Sequence, residues 1–201
     1  MSETFSALKA LGSATVHEAQ GKIGALSSAI KPLNPTSKLC GPAVTVRTRP
    51  GDNLALHLAI LKCRPGDVLV VDAFGYLEGG AWGDILTHAA QYRGVAGLII
   101  NGAVRDVESI LDLGFPIFAK GVSIKGTNKN DPGTIGESIS IDSVTIDSGS
   151  IVVADRDGVV IVSAGTEHQT LRKAREREDT EADFIKLING GATTVDLYSL
   201  Q

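Results

Sequence analysis

GGAWGDILTHAAQYRGVAGLIINGAVRD, residues 79–106, decides how the rest of the chain is read. AWGDILTHAAQYRG has the spacing of a helix closed by Gly94, and VAGLIIN after it is a short apolar run suited to a strand buried on both faces. A helix leading at once into a buried strand is half of a βαβ unit, which implies parallel strands in one sheet. The stretch ends on Arg105 and Asp106, which open a second helical pattern, RDVESILDLG, closed by Gly114. Adjacent residues usually point in different directions, so a simple salt bridge between Arg105 and Asp106 is not expected.

Upstream the same cycle is visible. PGDVLVVDAFG reads as a turn and a short buried strand, Val68 to Val71, and NLALHLAILKC as a helix capped by Asp52 or Asn53. In LCGPAVTVRTRPGD, Val44, Val46 and Thr48 alternate with Thr45, Arg47 and Arg49, the pattern of a half-buried strand ending at Pro50-Gly51. Residues 4–20 place Phe5, Leu8, Leu11, Val16 and Ala19 at rough helical spacing, interrupted near Gly12 and Ser13, as one or two short helices.

Downstream, FPIFAKG supplies another strand. From Gly136 the pattern becomes several short β segments with turn signals at Ser148-Gly149 and Asp157-Gly158, a meander or small barrel. TEHQTLRKAREREDTEADFIKLINGG is a long charged helix over 166–190, with Leu171, Ala174, Phe184, Leu187 and Ile188 apolar. Such a helix is either a solvated cap on its own subunit or an arm to a neighbour.

At 201 residues and 20.9 kDa the chain is expected to form one domain, residues 1–201. A net charge of −4 gives no basic footprint for a phosphate backbone, so nucleic acid is not an expected partner. Cys40 and Cys63 form no closely spaced pair, and MSETFSALKALGSATV has no basic segment before a long apolar run. The expectation is a reduced, cytoplasmic protein with buried free thiols. No apolar stretch reaches the ~20 residues that span a bilayer.

Arg105 and Asp106 follow a buried strand, at the carboxyl end where layered α/β folds collect their sites. Gly79, Gly80 and Gly83 leave backbone amides unobstructed ahead of a helix N-terminus, which suits a small anion. Asp84 and Arg105 are separated by 20 residues, about one βα cycle, so Asp84 and Asp106 would lie at equivalent ends of neighbouring strands. Two converging carboxylates suit a hard cation that keeps several waters. The competing reading is helix capping by Asp84 and Asp106, with Arg105 an ordinary surface residue.

The same stretch resembles the signature of the RraA-like family, which includes the 4-hydroxy-4-methyl-2-oxoglutarate and 4-carboxy-4-hydroxy-2-oxoadipate aldolases, with its D-x20-R-D motif on Asp84, Arg105 and Asp106. SATVHEA, LCGPAVTVR, PGDVLVVD, GFPIFAKG and VVADRDGVVIV extend the resemblance along nearly the whole chain. It implies a layered α/β/β fold with a central sheet or barrel and a C-terminal helix packing on a neighbouring subunit of a trimer or hexamer. It also implies a divalent-metal lyase that cleaves pyruvate from 4-hydroxy-2-oxo acids and decarboxylates oxaloacetate. By position, Asp106 would bind Mg2+ or Mn2+, Arg105 would contact the substrate, and Asp84 would hold metal-bound water. The amides of Gly80, Ala81, Trp82 and Gly83 would bind the pyruvyl carboxylate. Glu181, or alternatively Glu178, would approach the metal waters from a neighbouring subunit.

Both reactions form the enolate of pyruvate, which a Lewis-acid metal and a fixed guanidinium stabilise without a Schiff-base lysine. The family also contains a regulator that inhibits ribonuclease E by protein contact, which is the alternative function. Asp106, where that regulator departs from the motif, and the long C-terminal helix favour the enzyme. Asn101 stands where aldolases often carry an acid. His57 and His88 are left outside the site as packing or surface residues, while Asp67 is expected to cap a turn and Asp72 to end a strand. The sequence specifies the substrate only as a 2-oxo acid.

Overall fold

A computed structural model describes residues 2–200. Its helices are α1 (Glu3–Leu11), α2 (Ser13–Ala19), α3 (Leu54–Lys62), α4 (Asp84–Tyr92), α5 (Val107–Leu113), α6 (Glu167–Asn189) and α7 (Thr194–Leu197). The strands are β1 (Lys31–Pro32), β2 (Leu39–Arg47), β3 (Val68–Trp82), β4 (Gly97–Val104), β5 (Ile117–Val122), β6 (Thr134–Ile135), β7 (Ile139–Ile141), β8 (Val144–Ile146), β9 (Ile151–Ala154) and β10 (Val159–Val162).

Eight strands form one nearly closed, barrel-like sheet in the order β1-β5-β4-β3-β2-β9-β10, with β6 also on β2. The centre, β2-β3-β4-β5, is parallel, as the alternation of helical and apolar runs predicted. β9 and β10 form an antiparallel hairpin on β2, and β7-β8 make a separate hairpin. One core cluster joins α3, α4 and α5 to the sheet through Leu56, Leu86, Ile110 and Trp82. A second lies on the opposite face beneath β7-β8, and a third packs α1, α2 and the first half of α6.

Two strand expectations change. β2 does not alternate as predicted: Thr45 is fully buried and Val44 only half-buried, because neighbours cover both faces and the Thr45 hydroxyl donates to Glu137 O at 2.7 Å. β3 runs to Trp82 instead of stopping near Val71, so the glycine-rich segment belongs to a strand. Gly94 and Gly114 end α4 and α5 at positive φ, as expected. Both cysteines are buried free thiols, and burial pushes each thiol up to about 12. No helix among the described residues is long and apolar enough to cross a membrane.

The turn before α3 divides the expected cap between two residues. Asn53 occupies the cap position but sends Nδ2 to Ala81 O at 2.9 Å, while Asp52 accepts from Leu54 N at 2.9 Å and Asn130 N at 2.7 Å. Burial pushes the Asp52 carboxyl up, but the Leu54, Asn130 and Asp131 amides and the Arg49 charge outweigh it and hold its pKa below the ordinary 3.8. A depressed pKa stabilises the fold above 3.8, and that contribution is lost as pH falls through the folded value. Asp52→Asn is therefore expected to cost about 2 kcal/mol near neutrality. In urea titrations the gap to wild type should close below pH 3.8.

Candidate active site at the ends of β3 and β4

β3 and β4 pair in register from Val68–Gly97 to Asp72–Asn101, after which β3 swings outward. Asp72 Oδ1 holds this departure, accepting from Phe74 N and from Asn101 Nδ2, each at 2.9 Å. Asn101 Oδ1 lies 3.4 Å from Lys120 Nζ, so Asn101 links three strands and does not line the site. Asp72 therefore lies inside β3 and does not end it, contrary to expectation; Asp67 caps its turn as expected, accepting from Arg64 N at 2.8 Å.

After one intervening pair, Tyr76–Gly102, the strands meet again at Gly80–Ala103 and Trp82–Val104. Trp82 is fully buried, stacks on Phe115 at 6.1 Å, and donates from Nε1 to the Thr87 hydroxyl at 2.8 Å. That hydroxyl donates to Gly83 O at 3.0 Å, fixing the first turn of α4, where Asp84 is the opening residue. Arg105 N donates to Trp82 O at 2.8 Å, so the ends of both strands are tied together.

Asp106 occupies the N-cap position of α5 but does not cap it. Its backbone is left-handed, φ 56° and ψ 39°, a conformation that aspartate tolerates better than bulky residues. Asp106 Oδ2 turns to α4, accepting from Asp84 N at 3.3 Å and lying 3.3 Å from Arg105 Nε. The capping reading therefore fails for Asp106. The expectation of no Arg105–Asp106 salt bridge fails as well, because the left-handed turn brings the two side chains together.

The glycines are required by this approach. A Cβ on Gly83 would stand 2.3 Å from Asp106 Oδ2, and one on Gly80 would meet Ser123 O at 2.5 Å and Arg105 Cβ at 2.8 Å. Gly80 does not offer a free amide, since its N–H donates to Lys125 O at 2.9 Å; this corrects its assignment as a carboxylate donor. Trp82, with its side chain in the core, has only its backbone to offer.

Asp84, Arg105 and Asp106 line one cavity of about 610 Å3, together with Glu108 and Ser109 of α5, Val122 at the end of β5 and Ile124 beyond it. Sequence reasoning missed the last four, although Val122 and Ile124 directly follow the predicted FPIFAKG strand. Glu181 is paired with Arg177 at 2.8 Å on α6, and neither Glu181 nor Glu178 lines the cavity. His57 and His88 also lie outside it. Burial, and then the Lys129 charge, push the His57 pKa down.

Among the described residues no group of three His, Cys, Asp or Glu is arranged to hold a metal ion. Asp84 and Asp106 instead offer a sparse pair of hard oxygen donors. That set fits a cation such as Mg2+, which retains most of its waters and takes one or two carboxylates, and does not fit a closed zinc site.

Fold and site together define a class: a barrel-like α/β protein with a carboxylate–guanidinium pair folded back on the N-terminus of the preceding helix, α4. The chain belongs to the RraA-like family, whose model, described as Aldolase/RraA, matches residues 13–161. A Halalkalibacterium halodurans protein named "Putative 4-hydroxy-4-methyl-2-oxoglutarate aldolase" is 37% identical over 173 residues, 86% of this chain and 82% of that protein. An uncharacterized Pseudomonas syringae protein of known structure is similar at TM-score 0.84 and 27% identity, over 94% of each chain. Streptomyces coelicolor RraAS2, described as an unusual member of the RNase ES inhibitor RraA protein family, is similar at TM-score 0.81 and 29% identity, over 93% of this chain and 98% of that one.

Proposed function

We propose that the chain is a divalent-metal-dependent lyase that cleaves 4-hydroxy-2-oxo acids to pyruvate and decarboxylates oxaloacetate. The observation that carries this is the convergence of Arg105, Asp106 and Asp84 on one cavity at the carboxyl ends of two parallel strands. The aldolase name of the H. halodurans relative supports it.

Arg105 binds the 2-oxo acid and sets a fixed positive charge beside the oxygen that becomes anionic when the C3–C4 bond breaks. Asp84 opens into the same cavity, where its carboxylate or a water it holds takes the proton of the 4-hydroxyl. The electrons of the broken bond remain on the pyruvate half, and a proton at C3 completes pyruvate. Asp106, with Asp84 beside it, holds Mg2+ or Mn2+, and the cation when bound supplies Lewis-acid charge at the keto oxygen.

α6 supports a homo-oligomeric state. Its first half buries Leu171 and Ala174, while Ile185, Leu187 and Ile188 in its second half remain exposed on this chain. In a trimer or hexamer that half delivers Glu181 or Glu178 towards a neighbour's cavity. Buried, unpaired thiols suit a reducing cytoplasm.

The test is pyruvate release from oxaloacetate and from 4-hydroxy-4-methyl-2-oxoglutarate, with Mg2+ or Mn2+ and with EDTA. Release with metal that EDTA abolishes is the expected result; release unaffected by EDTA rejects the metal-dependent reading. The likeness to RraAS2 favours one second reading, inhibition of a ribonuclease by protein contact. Failure on both substrates together with slowed RNA cleavage by a purified ribonuclease would select it.

A further inference from the structure

We propose that a second cavity, at the root of α6, binds a small organic carboxylate with an apolar body. This cavity of about 390 Å3 lies where the end of α2, the β7-β8 turn, β10 and the start of α6 meet. It shares no lining residue with the Asp84–Arg105–Asp106 cavity, so the proposal goes beyond the lyase reading.

Besides the exposed Gln169, the wall on α6 has two unused polar groups. Thr170 is only 5% exposed. The Thr166 and Thr180 hydroxyls donate to main-chain oxygens at 2.8 Å, whereas the Thr170 hydroxyl makes no hydrogen bond among the described residues. Its oxygen is not among the buried polar atoms left without a partner, so the hydroxyl opens onto the cavity, where it can donate to a ligand oxygen. Lys173, three residues on and on the same helix face, is the second. Arg172, Arg177 and Lys186 pair with acidic neighbours along α6, whereas Lys173, like Arg175, pairs with none among the described residues.

The opposite wall is rigid. Gln20 Nε2 is clamped between Ile23 O at 2.7 Å and Ile161 O at 2.9 Å. Gly24 packs so closely behind it that a Cβ would stand 2.3 Å from Ile161 O. Ile23, Val144 and Ile161 supply apolar surface, and no acidic side chain lines the cavity. A free ammonium, an unpartnered hydroxyl and an apolar wall with no opposing charge together select a carboxylate head on an alkyl body. Bound there, the ligand would brace α2, the β7-β8 hairpin and α6 against one another, an effector's position and not a substrate's.

Isothermal titration of the full chain with 3-methylbutanoate, and with 3-methylbutan-1-ol as its uncharged counterpart, tests this. Saturable one-to-one binding of the acid is expected, with the alcohol about tenfold weaker or more, because it lacks the charge-assisted contacts. Thr170→Val and Lys173→Ala should each weaken the acid about tenfold, while Thr170→Ser and Asp106→Ala retain it. Binding that is absent from the wild type, unchanged in both Thr170→Val and Lys173→Ala, or lost in Asp106→Ala overturns the proposal. Lys173 is exposed, so Lys173→Ala carries the test even if Thr170→Val perturbs folding.

Discussion

Asp106→Ala is expected to lower kcat/KM for pyruvate release by about 10^2–10^3-fold, the scale set by losing one preorganised charge at a reacting centre. The fold should survive, because Asp106 does not cap α5 and its side chain is partly exposed. Asp106→Asn separates charge from geometry: asparagine tolerates the left-handed backbone and its amide oxygen can still accept from Asp84 N. If the charge is what matters, Asp106→Asn will be nearly as inactive as Asp106→Ala. Steady-state kinetics with circular dichroism as the folding control decide it, and an alanine variant within threefold of wild type would sink the site.

Gly83→Ala should be almost as damaging by a different route. Gly83 has φ −141°, which any residue adopts, so the backbone itself raises no objection to alanine. The conflict is with the neighbouring side chains: the new methyl would stand 2.3 Å from Asp106 Oδ2 and 3.2 Å from Arg105 Nε. Both groups must move, and a displacement of about 1 Å at a reacting centre costs on the order of 10^2 in rate. Because the loss acts through Asp106, it should not add to that of Asp106→Ala; a double variant no slower than Asp106→Ala is the expected signature. Independent, multiplicative losses would show that Gly83 acts elsewhere.

The sequence made the helix–strand alternation legible because periodicity follows directly from which faces are buried. Gly94 and Gly114 marked helix ends for the same local reason, the need for positive φ. Asp84, Arg105 and Asp106 were legible as a convergence because parallel neighbours bring equivalent strand ends together. The geometry of that convergence was not legible. A left-handed aspartate forming an ion pair with its own neighbour depends on two dihedral angles, which composition does not determine. The amide of Gly80 was misassigned because its partner, Lys125 O, lies 45 residues away along the chain. Alternation gives the face on which Thr45 lies but not that this face is covered, because tertiary neighbours decide burial in a central strand.

β3 loses its register with β4 after Asp72, meets it once at Tyr76–Gly102 and realigns at Gly80–Ala103, so the alignment that sets Asp84 against Asp106 is established beyond the bulged segment. Between Asp72 and Gly80 β3 advances eight residues while β4 advances two, from Asn101 to Ala103, and the surplus chain stands as a rim outside the Asp84–Asp106 alignment.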